Sequence, residues 1–171
     1  MFKKGEIWAY PTDTSFGLGV RADDLIGLEK IAELKSRGKN MFFSLMVRDL
    51  KMLEEFAELP AKFRCEMHTF FTQSPRTAIL KPTSKLPQSK FWPIDKVAFR
   101  VSTIPEISRE ISFPITATSA NISGQPAIYS VVKLQETFGD KIKIFAEIPE
   151  LPKVEASEIW DFTVGLPVRI R

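Results

Sequence analysis

The chain has 171 residues, 44% of them hydrophobic and 26% charged, with a formal net charge of +3 and a pI near 9.0. That composition excludes a disordered tail, a fibrous repeat and a cysteine-rich scaffold, and the length predicts one domain over residues 1–171 that buries about two-thirds of its unfolded surface. The single cysteine, Cys65, cannot crosslink the chain and reads as a buried apolar helix residue. Strand-like residues follow Met1 to Gly5 directly, with no apolar run suited to a signal peptide or a membrane span, so a soluble, cytoplasmic, reducing environment is expected.

In chain order, Glu6 to Tyr10 reads as a short strand ended by Pro11, followed by a loop of Thr12, Asp13 and Thr14 that opens out at Gly17 and Gly19. Asp23 is placed to cap a helix running to Lys35, whose Leu25, Leu28, Ile31, Ala32 and Lys35 share one side at helical spacing. Phe43 to Val47 predicts a buried strand, Asp49 to Phe56 a capped amphipathic helix, and Pro60 the first turn of a helix reaching Phe70. Strands are predicted over Thr77 to Lys81 and Val97 to Val101, then a short helix from Pro105, then a strand over Ile115 to Thr118. Ser119 to Pro126 is a run of small and hydrogen-bonding residues before a helix from Ser130 to Phe138. Strands over Ile142 to Ala146, Glu158 to Phe162 and Val168 to Ile170 complete an α/β pattern, with Ile148 to Ser157 an irregular connection.

Two loops at strand ends and one helix end carry the chemistry-bearing residues. Lys35 and Arg37, two apart at a helix end, can splay around one anion, the lysine as a point charge and the arginine as a fork; equally, cations are favoured at a helix C-terminus for their own sake. Thr12, Asp13 and Thr14 can bind a polar ligand or satisfy their own turn. Ser119, Asn121 and Ser123 offer hydroxyl and amide groups beside Gly124, where missing side-chain bulk lets backbone approach a phosphate. Neither a Walker A nor a dinucleotide glycine pattern occurs. The one histidine, His68, has no nucleophile or orienting carboxylate marked around it, and no His/Cys set has zinc spacing. The pairs Phe42-Phe43, Phe70-Phe71 and Phe91-Trp92 read as core, and an exposed member of a pair would instead suggest a stacking platform.

Tyr10 to Gly19, Lys35-Ser36-Arg37, Val97 to Val101 and Thr118 to Gly124, in that order and spacing, resemble the YrdC family of threonylcarbamoyl-AMP synthases, and the closing Ser157 to Arg169 is similar to its final strands. The resemblance implies a YrdC-like domain, a twisted sheet of mixed parallel and antiparallel strands with flanking helices around a large basic concave cleft. It implies a nucleotidyltransferase that converts L-threonine, bicarbonate and ATP to threonylcarbamoyl-AMP and pyrophosphate, with Mg²⁺ arriving on the ATP. Lys35, Arg37, Ser119 and Asn121 are then expected to hold the nucleotide phosphates, with Arg169 as a further nucleotide contact. Thr14, Arg100 and Ser157 are expected to hold threonine, Arg100 through its carboxylate.

Implied partners are tRNA or double-stranded RNA and a downstream threonylcarbamoyl-transferase complex. Phe43 to Leu50 is closer to YciO-type paralogues, with Met46 where many synthases place a polar threonine contact. A YciO-type paralogue and an RNA-binding module without this activity are therefore the alternative expectations.

Overall fold

The computed structural model describes residues 1–35 and 42–171. The chain opens with a hairpin of β1 (Trp8–Pro11) and β2 (Phe16–Gly19), in register from Trp8 opposite Gly19 to Pro11 opposite Phe16. The sequence reading took β2 for loop because of its glycines. A Cβ on Gly19 would lie 2.7 Å from the Tyr10 ring and 2.8 Å from the Phe2 ring, so this glycine lets two buried aromatics press against the strand.

β2 also pairs antiparallel with β8 (Thr118–Ser119), and β1 pairs in parallel with β9 (Lys143–Ile144), giving a sheet ordered β8-β2-β1-β9. A second sheet runs β11 (Val168–Arg169), β10 (Glu158–Asp161), β5 (Arg76–Pro82), β6 (Val97–Val101), β3 (Leu45–Val47), β7 (Ile115–Thr116), with β4 (Ala57–Glu58) paired to β5. Its β3/β6 and β5/β10 pairs are parallel and the rest antiparallel, the mixed α/β arrangement that the resemblance implied.

The predicted strand over Ile115 to Thr118 is divided between the sheets: β7 lies against β3 and β8 against β2. Thr116 fixes this seam. Its buried hydroxyl donates to the Leu18 carbonyl at 2.9 Å and accepts from the Val20 N–H at 3.2 Å, while its own carbonyl accepts the Tyr10 hydroxyl at 2.7 Å. The same stretch continues through Ala117, whose N–H donates to Ser44, and Ala120, whose N–H donates to Phe16, both at 2.7 Å.

Helix α1 (Leu25–Leu34) is capped by Asp24, which accepts from the Gly27 N–H at 3.0 Å. The predicted cap, Asp23, instead grips Arg21 through two contacts of 2.9 and 3.0 Å, which with Lys4 holds its carboxyl below the usual carboxylate range. Asp24 wins the cap because its second oxygen also ties down the Gly5 N–H at 2.7 Å. Helix α2 (Leu50–Phe56) is capped by Asp49 as predicted, with α4 (Pro105–Glu110) started by its proline and α5 (Val131–Phe138) capped by Ser130.

Past Pro60 the chain makes only a short 3₁₀ turn at Ala61–Phe63, and α3 begins later, at Met67–Gln73. Cys65 falls in the intervening turn and is exposed, which corrects its expected burial. Each helix turns apolar side chains inward, among them Leu28 and Ile31, Met52 and Phe56, Met67 and Phe71, Ile107, and Leu134 and Phe138, onto a core continuous with both sheets. Among the described residues no helix is long and apolar enough to cross a membrane.

Thr116→Val keeps the shape of the seam and removes its hydroxyl, leaving the Val20 N–H without that acceptor. A loss of about 1–3 kcal/mol of stability is expected. Urea unfolding measures it, and an unchanged midpoint would contradict the role given to this side chain.

Candidate active site

A cavity of about 380 Å³ opens where the hairpin turn, the seam strand and the irregular segment before β10 meet. Three clusters of polar groups face it.

The first is the turn between β1 and β2. Thr12 closes this turn: its hydroxyl donates to the Ser15 carbonyl at 2.7 Å and accepts from the Thr14 and Ser15 N–H groups at 3.2 and 3.3 Å. The turn therefore satisfies its own backbone, as one of the two sequence readings allowed, while Thr12, Thr14 and Ser15 still line the cavity. Arg100 on β6 reaches the same turn. Its guanidinium pairs with Asp13 and lies 3.4 Å from the Thr14 hydroxyl, and only 8% of the residue is exposed. A guanidinium so placed presents a fork that matches a carboxylate.

The second cluster follows β8. Ser119 donates its hydroxyl to the Asn121 side-chain oxygen at 2.6 Å, and the Asn121 amide donates to the Gln125 carbonyl at 2.5 Å. The turn closes with Gly124 at φ +83°, a backbone conformation that glycine takes without strain.

Lys35, at the C-terminus of α1, is fully buried and lies behind this segment rather than in the cavity wall. Its ammonium donates to the Ser119 carbonyl, and to the Asn121 carbonyl and side-chain oxygen at 3.1 Å each. The return path is a backbone bond, from the Ser123 N–H to the Lys35 carbonyl at 3.0 Å. Lys35, Ser119 and Asn121 thus come together, but Lys35, expected to hold nucleotide phosphates, is turned onto the segment and not into the open space. Arg37, its expected companion, lies outside the described residues.

The third cluster is the far wall. Ser157 and Thr77 share a 2.9 Å hydroxyl contact, and both line the cavity. Arg171 lines it beside them and donates to the Ser157 carbonyl from Nη2 at 2.9 Å and Nε at 3.2 Å. Arg169, the arginine expected here, is instead exposed on β11 and sits 3.0 Å from Glu158. That carboxyl is held below its usual range by the Trp160 indole N–H, with help from Arg76 and Arg169. Alternation alone would put residues two apart on one face, but Arg171 lies past the end of β11 and is not bound by that strand's alternation. No sequence pattern separates Arg169 from Arg171.

Sequence reasoning also missed the apolar part of the wall. Phe42 was grouped with the core, yet it is 61% exposed and lines the cavity with Val154, Ala127, Ala156 and Tyr129. The correction has a simple cause: Phe43 takes the inward position against Phe91, with ring centroids 5.2 Å apart, and alternation sends Phe42 the other way. Met46 is buried and does not line the cavity. His68 is exposed on α3 away from it. Among the described residues no group of three or more His, Cys, Asp or Glu side chains is arranged to hold a metal ion.

A mixed α/β fold with a cleft walled by hydroxyls, an amide and two arginines defines a binder of small anionic ligands. The chain belongs to the Sua5/YciO/YrdC family, described as "Telomere recombination", which it matches over residues 1–171. It is similar to a threonylcarbamoyl-AMP synthase of Vibrio vulnificus (strain YJ016), at 30% identity over 166 residues, covering 93% of this chain and 88% of that protein. It is also similar to a crystal structure of P. abyssi Sua5 complexed with L-threonine, with a TM-score of 0.82 and 28% identity. The match covers 98% of this chain and 50% of that one, so the chain spans about half the length of that relative. E. coli YciO has the same fold, with a TM-score of 0.80 at 22% identity, covering 98% of this chain and 82% of its own.

Lys35→Met replaces the ammonium by an apolar group of similar length and strips a donor from oxygens on both Ser119 and Asn121. Leaving buried acceptors unpaired is expected to cost about 1–3 kcal/mol. Thermal or urea unfolding would show it, and wild-type stability in the variant would contradict the clasp.

Proposed function

We propose that the chain is a threonylcarbamoyl-AMP synthase, a nucleotidyltransferase that uses L-threonine, bicarbonate and ATP, with residues 1–171 acting as one domain. One observation carries this reading: the Ser119–Asn121 pair, backed by the Lys35 ammonium, and the Arg100–Thr14 pair open into the same cavity. The Vibrio relative's name and the threonine complex of Sua5 support it.

Threonine carbamate, formed from the amine and bicarbonate with loss of water, attacks the α-phosphorus through an oxygen. The bond from that phosphorus to the bridging oxygen breaks, and pyrophosphate leaves. Such a displacement asks the protein to position two anions and offset their charge, and it needs no protein nucleophile. Ser119 and Asn121 hydrogen-bond the phosphates, and Lys35 lends its charge from behind them, with Arg37 assigned to the same task by the resemblance. Arg100 takes the threonine carboxylate on N–H groups beside those held by Asp13, and Thr14 hydrogen-bonds the amino acid. Ser157 faces the substrate with Thr77, and Arg171 takes the phosphate-facing role expected of Arg169.

The described lining residues include hydroxyls, an amide and guanidinium groups but no carboxylate, which suits a Mg²⁺ carried on the nucleotide oxygens rather than in a protein cage. The product would pass to a threonylcarbamoyl transferase acting on an adenosine of tRNA.

Pyrophosphate release is expected only when ATP, threonine and bicarbonate are all supplied, and replacing threonine by other amino acids separates this reading from a paralogue with another substrate. Arg100→Ala should raise the KM for threonine by roughly 10- to 100-fold, the weight of a hydrogen-bonded charge pair. Release without threonine, or an unchanged KM, would contradict the assignment.

A further inference from the structure

The cavity wall is mixed in character: hydroxyls, an amide and guanidinium groups share it with apolar side chains that include Phe42 and Val154. Phe42 is the outlier. Of fourteen phenylalanines it is the one exposed, the rest being buried or half-buried, and Val154 beside the same cavity is also exposed.

Backbone pairing fixes where that ring sits. The Ser44 carbonyl accepts from the Ala117 N–H at 2.7 Å, so residues 42–44 enter β3 alongside the strand that leads into Ser119 and Asn121. Ser44 and Phe42, two apart in extended chain, both face the cavity, and Phe43 anchors the stretch from the opposite side through its N–H to the Phe91 carbonyl at 2.8 Å. The exposed ring is therefore held on a built strand entry.

A nucleoside triphosphate calls for both kinds of group, since it carries a polyanion at one end and a flat apolar-faced base at the other. Threonine offers a phenyl ring no more than one methyl group and bicarbonate offers it none, whereas a purine matches its area and planarity. We propose that Phe42 is the stacking face for the purine base of the nucleotide, with Val154 giving apolar cover from the segment before β10. This deepens the synthase reading and rests on it, by naming what holds the base once the phosphates lie on Ser119 and Asn121.

Calorimetric titration with ATP and with inorganic tripolyphosphate tests it on the wild type, Phe42→Ala and Phe42→Trp. Losing one base–aromatic stack is expected to weaken ATP binding by roughly 5- to 100-fold in Phe42→Ala and to leave tripolyphosphate unchanged. Phe42→Trp should restore ATP affinity, with a fluorescence change on adding ATP that tripolyphosphate does not produce. Equal loss for both ligands, or wild-type ATP affinity in Phe42→Ala, overturns the proposal while leaving the synthase reading intact if the wild type still releases pyrophosphate with threonine present. A wild type with no affinity for ATP overturns both.

Discussion

A lysine ammonium with no solvent exposure must be met by oxygen, because an uncompensated buried charge costs several kcal/mol. Lys35 is that ammonium, and the oxygens it holds belong to Ser119 and Asn121, more than eighty residues away in sequence. This contact ties the end of α1 to the segment leaving β8 and sets the conformation in which Ser119 and Asn121 reach the cavity. The buried face of α1 makes it possible. Leu28 and Ile31 are fully buried, and continuing their spacing by four residues delivers Lys35 to the same interior.

The rest of the site depends on the seam between the sheets. Because one strand stretch serves β3 through Ile115–Thr116 and β2 through Thr118–Ser119, the chain leaves the seam beside both the hairpin turn and the entry to β3. Arg100, on β6 next to β3, then meets Asp13 and Thr14 of the hairpin turn. The cavity is assembled from segments far apart in the chain, which explains how a site without a glycine-rich phosphate loop still gathers groups suited to an anion.

Much of this was legible in the sequence, and the gaps have physical causes. The β6 strand, the cap at Asp49 and the helix beginning at Ser130 follow from apolar alternation and from short polar side chains before helical patterns. The β2 strand was hidden because its glycines make room for Tyr10 and Phe2, a packing relation that only the fold reveals. Thr14, Arg100, Ser119, Asn121 and Ser157 all line one cavity, and Lys35 supports it from behind. What sequence could not resolve was facing: whether Arg169 or Arg171 turns inward, and whether Phe42 or Phe43 does. The wall at Val154 and Ala156 was equally hidden, since an irregular segment carries no periodicity to read.

The account stands on one spatial statement, that amino acid and nucleotide occupy this cavity together with the carbamate oxygen in line with the α-phosphorus. A crystal structure with L-threonine, bicarbonate and a non-hydrolysable ATP analogue measures it most directly. The account predicts phosphate oxygens on Ser119 and Asn121 and the threonine carboxylate on Arg100, within one continuous volume. Nucleotide and threonine found in separate pockets, or a cavity that stays closed to both, would contradict it.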